Sequence, residues 1–214
     1  SYSFYNNITS GSDAFKGDAM ADYGAVNNIN NFLRDGAYSA ETSSGWSWSA
    51  LRNINHFIAK CQTSNLGEDV INNYIGIARF FRAWFYYDKV VRFGDVPWVE
   101  TPLSVDDKEV LYAARDSRVL IMDKIMEDLD YAYTNISAES SDGTLVTKWT
   151  AMGLKSRIAL FEGTYRKYHT ELNLVSSAHQ FLQLAASAAE EVMTKGPHSL
   201  NTQQGVDLSQ RQLF

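Results

Sequence analysis

The sequence predicts an all-α fold of stacked helix hairpins, TPR-like in type and with long irregular loops. Three observations carry that expectation. Within residues 71–98, six of the eight positions from Phe80 to Tyr87 are aromatic. Apolar residues recur every three or four positions in the other long segments, 45–64, 116–136 and 147–195, which is the period of a helix face. Between these segments lie clusters of Asn, Ser, Gly and Asp, whose side chains bond their own backbone and compete with helix.

Residues 71–98 form the stretch around which the others are arranged. One apolar line runs through Ile71, Ile75, Ala78, Phe81 and Phe85, and a second through Tyr74, Ile77, Trp84 and Tyr87. Two lines at helical spacing describe a helix covered on more than one side. Each fully buried aromatic contributes about 1.5–3 kcal/mol on transfer, so this is the central rod. Glu68 and Asp69 suit its N-terminal dipole, and Lys89 and Arg92 fall in its last turns. Gly94 suits a left-handed residue beyond the end, and Pro97 prevents resumption. Arg79 and Arg82 interrupt the aromatic run. Their predicted role is structural, with stems packed and heads on carboxylates or helix-end carbonyls.

The remaining elements follow in order. Residues 1–45 are loop-rich, with one short amphipathic helix through Val26, Ile29, Phe32 and Leu33. Asp13, Asp18 and Asp22 lack the alternating ligands, Gly and distal Glu of a calcium loop, so no metal is expected. Residues 46–195 hold the helical repeats. In the first, Leu51, Ile54, Phe57, Ile58 and Cys61 make the apolar face, His56 packs, and the Cys61 thiol is inert. Residues 99–116 are a connection in which Asp106 and Asp107 supply turn chemistry. Asp116 or Ser117 caps the helix bearing Met122, Ile125, Met126, Leu129, Ala132, Tyr133 and Ile136. Its acidic residues, Asp123, Glu127, Asp128 and Asp130, read as a solvated face. After a turn at Asp142 and Gly143, Thr147 caps a helix whose Ala151, Gly153, Ser156, Ala159 and Gly163 permit close approach. Trp149, Met152, Ile158, Leu160 and Phe161 fill the gaps beside them. The last helix places Leu174, Ala178, Phe181, Leu182, Ala185, Ala189, Val192 and Met193 on one face and stops at Gly196-Pro197. The two helices within 147–195 form an antiparallel hairpin near the 34-residue tetratricopeptide scale, without its strict consensus. Residues 196–214 begin a less regular region.

Composition narrows the function. The 214 residues are 45% hydrophobic and 21% charged, with a net charge of −6 and a pI near 5.2. A nucleic-acid partner normally requires a basic face, so none is expected. No run approaches the roughly 18 apolar residues of a membrane span. The first residues read as mid-protein, which predicts a processed or truncated N-terminus. The 13% aromatic content is high and not all of it need be core: Trp and Tyr outside core positions suit carbohydrate, whose C–H faces stack on rings, and a large aromatic-rich core is the alternative.

The string ARFFRAWFYYDKVVRFGDVPWV resembles the signature of the SusD/RagB family of nutrient-binding outer-membrane lipoproteins of Bacteroidetes. There an Arg-Phe-x-Arg-Ala aromatic helix is followed by a Phe-Gly-Asp-Val-Pro turn. Five further segments resemble family elements. GWSWSALRNINHFIAKCQTS matches its Trp-led helix, with His56 near where Asn is common. Arg115, Asp116 and Ser117 match an Arg-x-Ser/Thr element, and IMDKIMEDLDYAYTNI matches an Ile-x-x-Asp-Leu helix. In the helix after Thr147, Lys148, Leu154, Arg157, Leu160 and Phe161 stand in place, while Trp149 and Lys155 depart. Arg211 to Phe214 resemble an element that lies before the middle of a typical member. The resemblance therefore implies that residues 1–214 form one SusD-like helical domain, the N-terminal portion of a longer chain. It further implies a protein on the extracellular face of the outer membrane, held by an N-terminal lipid anchor absent from these residues. Such a protein captures an oligosaccharide for a SusC-like TonB-dependent transporter; a peptide ligand, as in some relatives, and a TPR-like adaptor without small ligand are the alternatives.

The residues themselves agree with binding. There is no Ser-His-Asp order, HExxH, phosphate loop or CxxC, so no catalytic residue and no cofactor is expected. A two-carboxylate glycosidase would draw on Glu41, Asp95, Glu100 or Glu162, and no spacing supports a pair. Trp46, Trp48 and Tyr38, in the polar region away from the periodic faces, are the candidate ligand-stacking residues. At the helix entrance the two Trp residues also suit a core anchor.

Overall fold

The computed structural model describes residues 45–138, 143–199 and 205. Among them run five long helices: α1 Ser49–Gln62, α2 Glu68–Phe93, α3 Arg118–Asn135, α4 Lys148–Tyr168 and α5 Val175–Lys195. A helical turn at Lys108–Leu111 and a 3-10 turn at Thr170–Leu172 sit in the connections. All five helices belong to the unit Trp48–Phe214, whereas Gly45, Trp46 and Ser47 close a separate unit that begins at Ser1. The expected helix through Val26, Ile29, Phe32 and Leu33, the aspartates at 13, 18 and 22, Tyr38, and residues 211–214 lie outside the described residues.

Each helix packs on the next in the chain: α1 on α2, α2 on α3, α3 on α4, and α4 on α5. Neighbours run antiparallel. Near the start of α2, Asn72 Oδ1 accepts from the Tyr131 hydroxyl late in α3 at 3.0 Å. Beyond the end of α2, Asp95 Oδ1 accepts from the first N–H of α3, at Arg118, at 2.7 Å. Across α4 and α5 the Ser156 hydroxyl donates to the Ala185 carbonyl at 2.9 Å, and Arg166 Nη1 to Ser177 Oγ at 2.8 Å. This is the stack of helix hairpins that the spacing predicts.

The rod α2 is covered from both sides as expected, though along a different line. Ile75, Ala78 and Phe85 are buried, but so are Phe80, Ala83, Tyr86 and Val90, and Ile77, Trp84 and Tyr87 are only half-buried. Tyr74 is 47% exposed. Where nearly every residue is aromatic, apolarity alone does not single out the contact face. Closeness does: a Cβ on Gly76 would stand 2.9 Å from Ile136 Cγ1, so this line carries the approach to α3. In α1 the stripe likewise shifts, to Leu51, Asn55 and Ile58. Phe57 and His56 are exposed, and the packing role expected of His56 falls to Asn55.

The caps follow local chemistry. Ser117 Oγ accepts the Leu120 N–H at 3.3 Å, and Thr147 Oγ1 accepts the Thr150 N–H at 3.4 Å in a reciprocal box, satisfying donors that a helix start leaves open. In α4, Gly153 has open space beside it and Leu160 is 53% exposed, so neither serves the interface. Gly163 does. A Cβ there would lie 2.8 Å from Leu182 Cγ and Cδ2 and 3.0 Å from its backbone N. On α5 the buried residues are Ala178, Phe181, Ala185 and Ala188, whereas Met193 in the last turn is 80% exposed.

Overpacking that contact has a measurable cost. Gly163→Ala is expected to destabilise the fold by about 1–3 kcal/mol. Adding Leu182→Ala should recover part of the loss, giving a non-additive pair in urea unfolding. Strict additivity would show that the two residues do not meet.

Candidate ligand-binding surface

The surface is built at the C-terminal end of α2, where the chain turns back over the rod. Gly94 takes φ 70° and ψ −116°, a backbone region that glycine enters without a Cβ penalty. Residues 95–101 are then tied down on three sides. Asp116 Oδ2 accepts the Trp98 N–H at 2.7 Å, and Val96 O accepts the Asp116 N–H at 3.1 Å. The Tyr86 hydroxyl accepts the Val99 N–H at 2.7 Å and is 3.2 Å from the Val99 carbonyl. Asn55 Nδ2 donates to the Val99 carbonyl at 2.9 Å. Burial pushes the Tyr86 phenol well above its ordinary range, against the pull of the Val99 bond and of Arg82, so it stays a neutral donor and acceptor.

Beneath this strap the charges are paired. Arg82 grips Asp128 through Nε and Nη2, both at 2.7 Å, and Arg79 Nε adds a bond of 2.6 Å. The predicted structural role of both arginines holds, while the solvated face expected of Asp128 does not: it is 1% exposed. Its neighbours Asp123, Glu127 and Asp130 are exposed, with Asp130 paired to Lys155. Glu162, buried completely, takes Arg118 Nη2 at 2.7 Å and Arg166 Nε at 2.7 Å. Both deeply buried carboxylates are thus held by two guanidiniums each, which is charge neutralisation and not acid–base chemistry. Cys61 is half-buried, with its thiol pKa raised by that burial, as expected of an unreactive thiol.

Aromatic rings lie on this frame. The Trp98 and Tyr86 rings stand 4.3 Å apart at 32°, and Arg82 Cζ is 5.2 Å from the Trp98 ring centre, a cation–π distance. Trp48 meets Phe85 edge-on at 5.5 Å and Tyr86 at 6.3 Å and is half-buried; it works as the core anchor. Trp46 is 42% exposed. Tyr38 lies outside the described residues. Trp98 was not among the residues expected to bind, although its place directly after the Gly-Asp-Val-Pro turn is the signal that could have drawn attention to it.

An all-helical stack of antiparallel pairs, locked by buried ion pairs and closed by a tied-down aromatic strap, is a scaffold of the helical-repeat class. Residues 2–167 match the SusD-like family described as "Starch-binding associating with outer membrane", and the chain belongs to that family. Two SusD-like proteins of Formosa agariphila are similar, one 26% identical over 69% of this chain and 29% of its own length. The other is 27% identical over 50% of this chain and 21% of its own. The crystal structure of a SusD-like protein from Bacteroides fragilis superposes with a TM-score of 0.57 at 26% identity, over 71% of this chain and 26% of that one. A laminarin-binding SusD-like protein shares the fold, with a TM-score of 0.55 at 19% identity over 69% of this chain and 28% of its own. The matched region therefore spans less than a third of these relatives. Among the described residues no helix is long and apolar enough to cross a membrane.

Removing the central carboxylate tests the frame. Asp128→Asn leaves two guanidiniums without their counter-charge and is expected to cost about 3–5 kcal/mol. Exposed Glu109→Gln, on the connection, should stay within about 0.5 kcal/mol. Chemical unfolding monitored by circular dichroism compares them, and equal midpoints would overturn the assignment.

Proposed function

We propose that the protein is a surface glycan-binding component of the outer membrane. Held to the membrane by an N-terminal lipid anchor of its own, it captures an oligosaccharide without turning it over and delivers it to a SusC-like TonB-dependent transporter. The observation that carries this reading is the family match over residues 2–167, a family described as starch-binding and outer-membrane associated. One structural relative is described as laminarin-binding, and another was crystallised with a xylogluco-oligosaccharide. The arrangement of charge supports binding over catalysis, since Asp128 and Glu162 are spent on arginines. The exposed Trp46 supplies a stacking ring, Tyr38 is proposed as a second from its place in the polar sequence, and Trp48 fixes the helix entrance from the core side.

Affinity electrophoresis of the intact protein through gels containing starch, laminarin or xyloglucan tests the reading, with each glycan assayed for new reducing ends. Retardation without new ends is expected. New reducing ends would make the protein an enzyme, and retention only by a peptide library would replace the ligand class. Co-purification of a TonB-dependent transporter with the tagged protein tests the partner. Trp46→Ala should weaken glycan affinity by about two- to tenfold, the scale of one ring contact; an unchanged affinity removes Trp46 from the surface.

A further inference from the structure

One face of the first hairpin is used neither by the core nor by the strap. An open groove of about 260 Å³ runs between α1 and α2, lined by Ile54 and Phe57 from the first helix and by Tyr74, Ile77, Ala78 and Phe81 from the second. It exists because Ala78 is small. That residue, 6% exposed, belongs to the core cluster with Ile58 and Ile75, while Phe57 and Tyr74 beside it stand 44% and 47% exposed. Single exposed apolar side chains are ordinary on a protein surface. Here they border one hollow, and contiguous apolar patches mark contact sites. Asn53 is the polar residue of the lining, too little for a hydroxyl-rich sugar.

The rim carries one sign of charge. Arg52, His56 and Lys60 recur every fourth residue along α1, all exposed. A helix turns about 100° per residue, so that line lies next to the one through Asn53 and Phe57. Ser49–Gln62 contains no Asp or Glu, and neither does α2 from Val70 to Tyr87, in a chain with 25 acids and a net charge of −6. Asp69 and Asp88 stand outside that stretch, one beyond each end. Within it, Arg79 and Arg82 are committed to Asp128, whereas Arg52 and Lys60 pair with no carboxylate among the described residues. Lys60 suits the last turn of α1, where the helix dipole favours a cation. Arg52 lies near the opposite end, where the dipole disfavours one, so the fold supplies no reason for its charge.

We propose that the groove between α1 and α2 is a docking site for an acidic amphipathic helix of a partner protein. Its apolar side chains seat over Ala78 between Phe57 and Tyr74, and its carboxylates meet Arg52 and Lys60. From Tyr74 to Phe81 the groove extends about two helical turns, roughly 10 Å, which matches apolar anchors at i, i+3 or i+4, and i+7 in helix-in-groove recognition. Burial of those anchors supplies affinity, and the unpaired cations select an acidic partner over a basic one. The role of the groove does not depend on glycan capture.

Fluorescence anisotropy of the intact protein with a labelled helical peptide tests the site. The probe is about 16 residues long, enough to hold a helix, with leucines at helical spacing on one face and glutamates flanking them. One control replaces the glutamates with lysines, and another scrambles the leucines. The glutamate peptide is expected to bind at least about tenfold more tightly than either control, and less tightly as salt screens the exposed charges. Arg52→Glu combined with Lys60→Glu should weaken binding about tenfold and flatten its salt dependence. Phe57→Ala should weaken it about fivefold, the scale of an anchor contact. All three positions are exposed, and the peptide controls need no variant, so the test stands even where a variant fails to fold. Equal binding of the glutamate and lysine peptides, unchanged affinity in either folded variant, or no saturation by about 1 mM peptide overturns the proposal. So does a dimer of the protein alone, seen by sedimentation and dispersed by Phe57→Ala, which would put a second copy in the groove.

Discussion

The carboxylate of Asp128 is the constraint on which the rest of the structure depends. Two guanidiniums on α2, Arg79 and Arg82, point into the interior between helices, and taking them out of water costs several kcal/mol each unless a charge meets them. Asp128 meets both, at 2.6 and 2.7 Å. A helix advances 1.5 Å and turns about 100° per residue, so sliding α3 by one position would carry that carboxylate out of reach. Aliphatic contacts tolerate such a slip far better, because hydrophobic groups of similar volume can repack. The core supplies most of the burial and the ion pair supplies the register.

The same logic repeats one layer further on. Arg118 at the start of α3 and Arg166 near the end of α4 share Glu162, and Lys155 of α4 reaches back to Asp130. Arg118 also donates its backbone N–H to Asp95 beyond α2. One residue thus joins the end of the rod, the start of α3 and the buried carboxylate of α4. The strap that follows α2 inherits its position from these fixed points. Tyr86 and Asn55 hold it from below, and Arg82, already committed to Asp128, lies beside the Trp98 ring. Rigidity in the surface is a consequence of charge pairing in the interior.

How much of this was legible in the chain depends on what each residue type reveals by itself. The helices were, since three- and four-residue recurrence is a property of sequence alone, and so were the Ser117 and Thr147 caps. The pairing of Arg79 and Arg82 was legible in kind, because arginine is rarely buried without a partner. The partner was not: Asp123, Glu127, Asp128 and Asp130 form one acidic run, and only the facing helix distinguishes the member turned inward. Asn55 and His56 present the same difficulty, adjacent polar residues of which one lies under the strap and the other in solvent. For the candidate site, Trp46 and Trp48 were noticed as a pair, but their division into exposed ring and core anchor needed α2. Trp98 read as the end of the rod, because nothing in its neighbourhood announces that its ring stacks on Tyr86 and lies beside Arg82.

The distribution of acids also bears on what kind of molecule this is. Hydrolysing a glycosidic bond requires two carboxyl groups held about 5–10 Å apart across a cleft, one of them free to give up a proton. Among the described residues, the acids held most firmly are Asp128 and Glu162, and each is fixed by bonding two guanidiniums. The acids left free, such as Asp106 and Glu109, lie exposed on a connection and point wherever their own turns direct them. Glu100 stands between these extremes, exposed yet anchored to an indole N–H. Such a carboxylate keeps further acceptor positions open, in a direction that the indole bond fixes.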